Sequence, residues 1–591
     1  MSARTDVRPD GSALSPPAPR ALASALWHGV VGAGGGHVFG VPGDYSLRLL
    51  DALEAVPGLR WAGCSTELGA AFAADGHARA RGLGVVCTTY GVGELAALGA
   101  AAGWAAEDVA VLHVVGAPAS DRLHRGAPVH HSLADGDGLR WARVAAEAGA
   151  AVHVVAPDCP GAVHDALTTW RRDRRPTVLV VPHDLVDLPC AAVGTADAET
   201  AADETAAGPV VAQEARDRAR GLVDRFVATA PRATVVLGHL VHRRGLHGAV
   251  RELGALGSPL AGLPAGRTAV DADEPALLGS YQGPLSDPGV REAVESRDGR
   301  VLLGATLSDT ATAGFAHDLS VGETLVVGRD ALRWRDEEVR VPVEVATEVL
   351  VAARRRAAAG GAPTTGATVR TRRARASCAA APHDPTATVT QARLWAALEA
   401  TLPPGHRVVV DPGTATSGVL AAHLPAGTRL ESQTTWAAIG FALPAALGAA
   451  LGAPDEPVLA VVGDGAAQVT FQELGLVRSA GARLVLLLVD NGGYTIERLL
   501  GEPDARHHDV VPWDWPALVR AVVGPDLVDV ATPATDGELR RALAAAFAAR
   551  DRAQVVVVRT DPLDAPPALH AVARALARSR RRGDAPEGTD S

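Results

Sequence analysis

The sequence predicts an α/β chain of three open, mainly parallel sheets, on three observations. Compact apolar runs of strand length, among them residues 109–115, 177–181, 234–237, 300–303, 407–410, 458–462 and 484–489, alternate with Ala-rich stretches of helical length. That alternation is the pattern of repeated strand–helix units. Two stretches without apolar periodicity, the acidic 195–208 and the Arg-, Gly- and Thr-rich 354–385, separate three such alternations. In the last alternation the apolar runs end in Gly or Asp, at the edge where open parallel sheets bind ligands.

The elements follow in order. Domains are expected over 19–190, 209–353 and 386–564, with a solvated connector at 354–385 and a tail at 565–591 that begins as an amphipathic Arg-rich helix. A length of 591 residues suits three or four domains. The composition, 47% hydrophobic and 21% charged, is globular. A formal charge of −11 argues against nucleic acid or an anionic membrane as partner. Every Lys/Arg position is arginine, which excludes Schiff-base chemistry and a lysine-bearing phosphate loop. Cys64, Cys87, Cys159, Cys190 and Cys378 are scattered and odd in number, so neither a disulfide framework nor a zinc site is expected and a reducing cytoplasm fits. Residues 1–20 lack the apolar core of a signal peptide. The run 436–451, Ala/Gly-rich and interrupted by Pro444, predicts a buried helix and not a membrane span.

The strongest local signal is VLAVVGDGAAQVT, an apolar strand followed by the turn Gly463-Asp464-Gly465 and a helix. Asn491 follows Asp464 by 27 residues, at the end of the next strand, in LLLVDNGGYTIE. Both therefore stand on one sheet edge. A carboxylate, an amide oxygen and a backbone carbonyl near Gly493 form a ligand set for one Mg²⁺, with a diphosphate completing it. The glycines admit phosphate close to backbone N–H groups. By itself GDG marks a strand-to-helix turn more often than a site; GDG with an NGGYT ending at this spacing is far more specific.

These two motifs resemble the thiamine-diphosphate enzymes. HVFGVPGDYSLRLLDAL (37–53), STELGAAFAADGHARARG (65–82) and the segment 88–118 resemble the amino-terminal domain of the 2-oxo acid decarboxylases that act on indolepyruvate, phenylpyruvate or pyruvate. The resemblance implies thiamine diphosphate and Mg²⁺ as cofactors, with Asp464, Asn491 and the Gly493 carbonyl as metal ligands. Glu67 stands at the position of the glutamate that activates the aminopyrimidine. Thr414, Ala437, Ile439, Asp464, Gly465, Ala466 and Asn491 would contact the cofactor together with Glu67, Ile439 as the apolar wedge beneath it. His130-His131 matches the histidine pair of the decarboxylase branch; alone, adjacent loop histidines are more often incidental. Asp44 and Glu497 complete the implied catalytic set. Three departures are visible: Asp490 for the usual Asn, Ala437 for the usual Gly, and Pro412 for Gln or Thr.

The implied fold has a pyrimidine-binding domain first, a central domain matched by 302–315, and a diphosphate- and Mg-binding domain last. The implied reaction takes a small-molecule 2-oxo acid to aldehyde and CO₂ through a thiamine-bound enamine. Thr416 and Ser417, where pyruvate-specific members carry aromatics, favour an indolepyruvate- or phenylpyruvate-like substrate; Ile496 narrows what a Val would widen. Glu67 and Asp464 of different chains would serve one cofactor, so a homodimer is the minimum and a homotetramer is expected. Rival readings are an acyloin-forming carboligase and a silent homologue kept as a binding protein.

Overall fold

A computed structural model describes residues 20–159, 161–190, 211–296, 298–360, 381–566, 569–571 and 573–574. It divides into two compact units. One comprises Met1–Ala74, Leu83–Ala105 and Ala110–Ala206, the other Asp75–Gly82, Ala106–Val109 and Ala207–Ser591.

The first unit is built on a six-stranded sheet in the spatial order Arg60–Gly63, His37–Gly40, Gly84–Thr89, Val111–Ala117, Thr177–Pro182, Ala151–Val154. Every pairing in it is parallel. The strands Gly84–Thr89, Val111–Ala117 and Thr177–Pro182 are buried along their whole length. That is why they read as continuous apolar runs and do not alternate. Trp27 and Trp170 fill the core beside them and still satisfy their indole N–H groups, on Leu49 O at 2.7 Å and Ala110 O at 3.1 Å.

The second unit carries two sheets. One has seven strands in the order Leu277–Ser280, Leu260–Gly262, Thr234–Leu237, Arg300–Leu303, Thr324–Val327, Leu332–Trp334, Glu337–Val339. Its last two pairings are antiparallel and the rest parallel. The other has six parallel strands in the order Arg429–Glu431, Arg407–Val410, Val458–Gly463, Val485–Asp490, Ala553–Arg559, Val528–Ala531. Numbered along the chain, the two six-stranded sheets share the order 2-1-3-4-6-5. In both, the order reverses between strands 1 and 3, which opens a crevice at their carboxyl ends. Asp44 and Gly91 follow those ends in the first unit, and Asp411 and Asp464 in the second.

Two expectations change in detail. The run 436–451 is helical only from Ala442, in helix Ala442–Gly452. Ala437 and Gly440 have φ of +54° and +83°, which break the helix before it. Pro444 sits in its first turn, where a missing N–H costs nothing. Helix Val343–Ala359 crosses residue 354, where a connector is expected to begin, because Arg354 is buried and its guanidinium caps the carbonyls of Pro231 and Ala233. Residues 195–208, 361–380 (with Cys378) and 575–591 lie outside the described residues. Cys87 and Cys159 are free thiols. Among the described residues no helix is long and apolar enough to cross a membrane.

Candidate active site

In the second unit, strand Val458–Gly463 delivers Asp464 and the neighbouring strand Val485–Asp490 delivers Asn491. Both side chains are nearly closed to solvent, at 2% and 3% exposure. The Asp464 carboxylate accepts from the backbone N–H groups of Gly465 at 2.7 Å, Gly492 at 2.7 Å and Gly493 at 3.1 Å. Burial nevertheless pushes its pKa up to about 6, and Asp490 adds to the rise. The charge that sequence reading adds at Asp490 is partly answered across the sheet, where Asp490 pairs with Arg559 at 3.0 Å.

The Asn491 amide can stand in either of two orientations, and its partners differ between them. Its Nδ2 donates to Thr495 Oγ1 at 2.7 Å, and Thr495 Oγ1 donates its own proton to Pro562 O at 2.8 Å. That chain of donors turns the amide oxygen toward Asp464 Oδ1 and Gly493 O, with 3.0 Å to each. Three oxygens then face one another with no proton between them. Reversing the amide would relieve the repulsion but would take the Thr495 proton from Pro562 O. A cation among the three oxygens satisfies both demands, so the residues present fit a hard divalent ion. Gly465 leaves room for this packing, since a Cβ there would stand 2.6 Å from the Tyr494 ring. Ala466, in the same turn, is buried.

The segment before helix Ala442–Gly452 presents Trp436 and Ile439 to solvent, 43% and 38% exposed. Its backbone is held from three sides. Glu107 Oε1 accepts from the N–H groups of Thr435 at 2.8 Å and Trp436 at 3.2 Å. Gln433 Oε1 accepts from Ala438 N at 3.2 Å. Asp411, fully buried, accepts from Ala442 N at 3.1 Å. Burial pushes the Asp411 pKa up to about 7 against the pull of these backbone donors. Ala437 holds φ +54°, a conformation that disfavours any Cβ, at a cost of about 1 kcal/mol. That is the position where the resemblance calls for glycine. Thr414 opens helix Thr414–Ala421 and is buried, and Thr416 turns its hydroxyl back onto Asp411 O at 2.6 Å. Glu497 lies in this unit too, exposed on helix Thr495–Leu500.

In the first unit, Asp44, His130 and His131 come together although 86 residues separate the first two. His130 Nε2 lies 2.8 Å from Asp44 Oδ2, and His130 Nδ1 lies 3.0 Å from the Tyr45 hydroxyl. The Tyr45 ring stacks on His130 at 4.6 Å, and the His131 ring meets His130 edge-on at 4.5 Å. His131 sits at φ +64°, and a Cβ on the facing Gly91 would come within 2.2 Å of its carbonyl oxygen. A strained backbone held by close packing is a common mark of a functional loop. Glu67 begins helix Glu67–Arg81, which Thr66 caps by accepting from Gly69 N at 3.0 Å. Its Oε1 would lie 3.1 Å from a Cβ on Gly93, so glycine there makes room for the carboxylate.

Sequence reading missed Tyr45, Thr495, Gln433, Glu107 and Arg498. Tyr45 and Thr495 stand inside the motifs already singled out, so position alone could have flagged them. Arg498 is buried and joins the carbonyls of Gly492 (3.1 Å) and Pro503 (3.3 Å) to the Asp509 carboxylate at 2.9 Å. No motif in the sequence marks it, because most of its partners are backbone carbonyls.

Comparison with known proteins identifies the family. Residues 20–139 match the family described as "Thiamine pyrophosphate enzyme, N-terminal TPP binding domain", and 413–558 match its C-terminal TPP binding domain. The alpha-keto-acid decarboxylase of Mycobacterium ulcerans (strain Agy99) is 34% identical over 549 residues, covering 90% of this chain and 92% of that protein. The one from Mycobacterium leprae (strain TN) is 34% identical over 566 residues, covering 92% and 93%. The chain belongs to the thiamine-diphosphate-dependent 2-oxo acid decarboxylases, a family of carboxy-lyases.

Proposed function

We propose that the chain releases CO₂ and an aldehyde from a 2-oxo acid with a large side chain, of the indolepyruvate or phenylpyruvate kind, using thiamine diphosphate and Mg²⁺. The observation that carries the reading is the Asp44–His130–His131 cluster at one switch point, with an oxygen pocket at the equivalent point of the second sheet. Asp464, Asn491 and the Gly493 carbonyl hold the Mg²⁺, and Gly465 and Ala466 approach the diphosphate. Thr414, Ala437 and Ile439 line the organic part. When bound, thiamine diphosphate supplies the carbon nucleophile and the electron sink that allow a carboxylate to leave as CO₂.

The side chains do the proton work. Glu67 would hold or give up a proton where the aminopyrimidine binds. His130, oriented by Asp44 on one nitrogen and Tyr45 on the other, and His131 move the proton that the product carbon requires. Glu497 is the second carboxyl of the set. Thr416 and Ser417 are small, and Thr416 is folded onto its own loop, which supports a wide substrate pocket. A homodimer at minimum, and a homotetramer built from it, is supported by large apolar side chains left over a third exposed. Among them are Leu47, Val92 and Leu95 in the first unit and Trp436, Ile439 and Val469 in the second. The free thiols of Cys87 and Cys159 suit a cytoplasmic setting.

The test is aldehyde release from pyruvate, branched-chain, phenylpyruvate and indolepyruvate substrates with added thiamine diphosphate and Mg²⁺. Release from the aryl acids in preference to pyruvate is expected. Release from pyruvate alone would discard the wide pocket, and CO₂ without aldehyde would turn the reading toward carboligation.

A further inference from the structure

We propose that Asp44, His130 and His131 form a second metal site, one that takes a zinc-class cation and, when filled, silences the enzyme. Among the described residues this is the only group of three or more His, Cys, Asp or Glu side chains whose ligand atoms all lie within 4.8 Å of one another. Two imidazoles and one carboxylate with an open side are the donor set that zinc-class ions favour, whereas Mg²⁺ favours oxygen alone. The two sites therefore sort cations by chemistry: oxygens at Asp464, nitrogens and an oxygen at His130.

The His130–Asp44 pair needs little adjustment. Donors of a tetrahedral zinc ion stand about 3.3 Å apart, given bonds of roughly 2.0 Å. His130 Nε2 and Asp44 Oδ2 are 2.8 Å apart, and their side chains are 55% and 53% exposed, so the half ångström of spreading they need can be taken up toward solvent. Solvent reaches the remaining coordination position. Tyr45 provides the outer partner that metal-binding imidazoles require. Its hydroxyl, 3.0 Å from His130 Nδ1, either donates or accepts. When Nε2 binds a metal, the ring proton moves to Nδ1 and donates to the Tyr45 oxygen, with no net proton lost. The other close histidine pairs, His507–His508 and His242–His247, have no carboxylate within the same reach.

The binding claim stands apart from the catalytic one; only the silencing rests on the proposed role of the cluster. The experiment is a calorimetric titration of the thiamine-diphosphate- and Mg²⁺-loaded enzyme with Zn²⁺, with turnover measured on the same samples. One equivalent per chain is expected, absent in Asp44→Ala and His131→Ala and retained in His507→Ala. Tyr45→Phe should keep the stoichiometry and weaken affinity about 10-fold. An equivalent that survives His131→Ala but vanishes in His507→Ala, or no binding to the Mg²⁺-loaded enzyme, would overturn the site. Turnover should fall in proportion to occupancy. Full occupancy with unchanged turnover would overturn the silencing and the catalytic role of the cluster, while the stoichiometry would still establish the metal site.

Discussion

Asp464 and Asn491 are 2% and 3% exposed, and what orients them is backbone N–H groups and a threonine four residues away. Asp44 and His130 leave more than half of their side chains to solvent and are oriented by each other and by Tyr45. Both groups stand at the switch point of a sheet with the same strand order. The closed one has the means to hold a charged group, and the open one has the water access that proton exchange needs. On the function proposed above, equivalent places in two similar sheets serve holding and chemistry.

The largest effect should come from the holding side. Asp464→Ala is expected to leave the cofactor unretained at Mg²⁺ concentrations that saturate the parent, measured by thiamine diphosphate content after gel filtration; normal content would end the comparison. Thr495→Val removes the acceptor that turns the Asn491 oxygen inward, so Mg²⁺ affinity should fall about 10- to 100-fold. Unchanged affinity would mean that the amide orientation does not matter.

Asp411 sharpens the contrast through pH. Its folded pKa, about 7, lies above the ordinary 3.8. The folded chain therefore binds the extra proton, and the stability this provides is complete below about pH 4 and lost as pH rises to 7. Relative to Asp411→Asn, the parent should lose stability over that window by on the order of 4 kcal/mol at most. Denaturant unfolding at pH 5 and pH 8 reads it, and parallel profiles would contradict it. The smallest effect is expected at Ala437→Gly. Relief of the positive φ, less the entropy glycine adds to the unfolded chain, should stabilise by about 0.5 kcal/mol in the same assay.

Much of this was legible in the residues. Strands Thr234–Leu237, Arg300–Leu303 and Arg407–Val410 lie where the apolar runs lie, because buried parallel strands need no alternation to be recognised. Asp464 and Asn491 were legible because a strand end, a glycine turn and a fixed spacing all point to one edge. The start of helix Ala442–Gly452 was not: Ala437 carries no local signal of a positive φ, and the cap on Ala442 comes from Asp411, 31 residues earlier. Glu107 was hidden for the same reason, since a buried side chain that serves backbone groups 328 residues away leaves no mark in its own neighbourhood.

The division between holding and chemistry is tested most directly by Glu67→Gln, with cofactor content and aldehyde release measured on one sample. The account predicts full retention of thiamine diphosphate, an unchanged melting temperature and turnover reduced by at least about 10²-fold. Near-normal turnover with full retention would contradict it, because the carboxyl of the first unit would then have no part in the reaction.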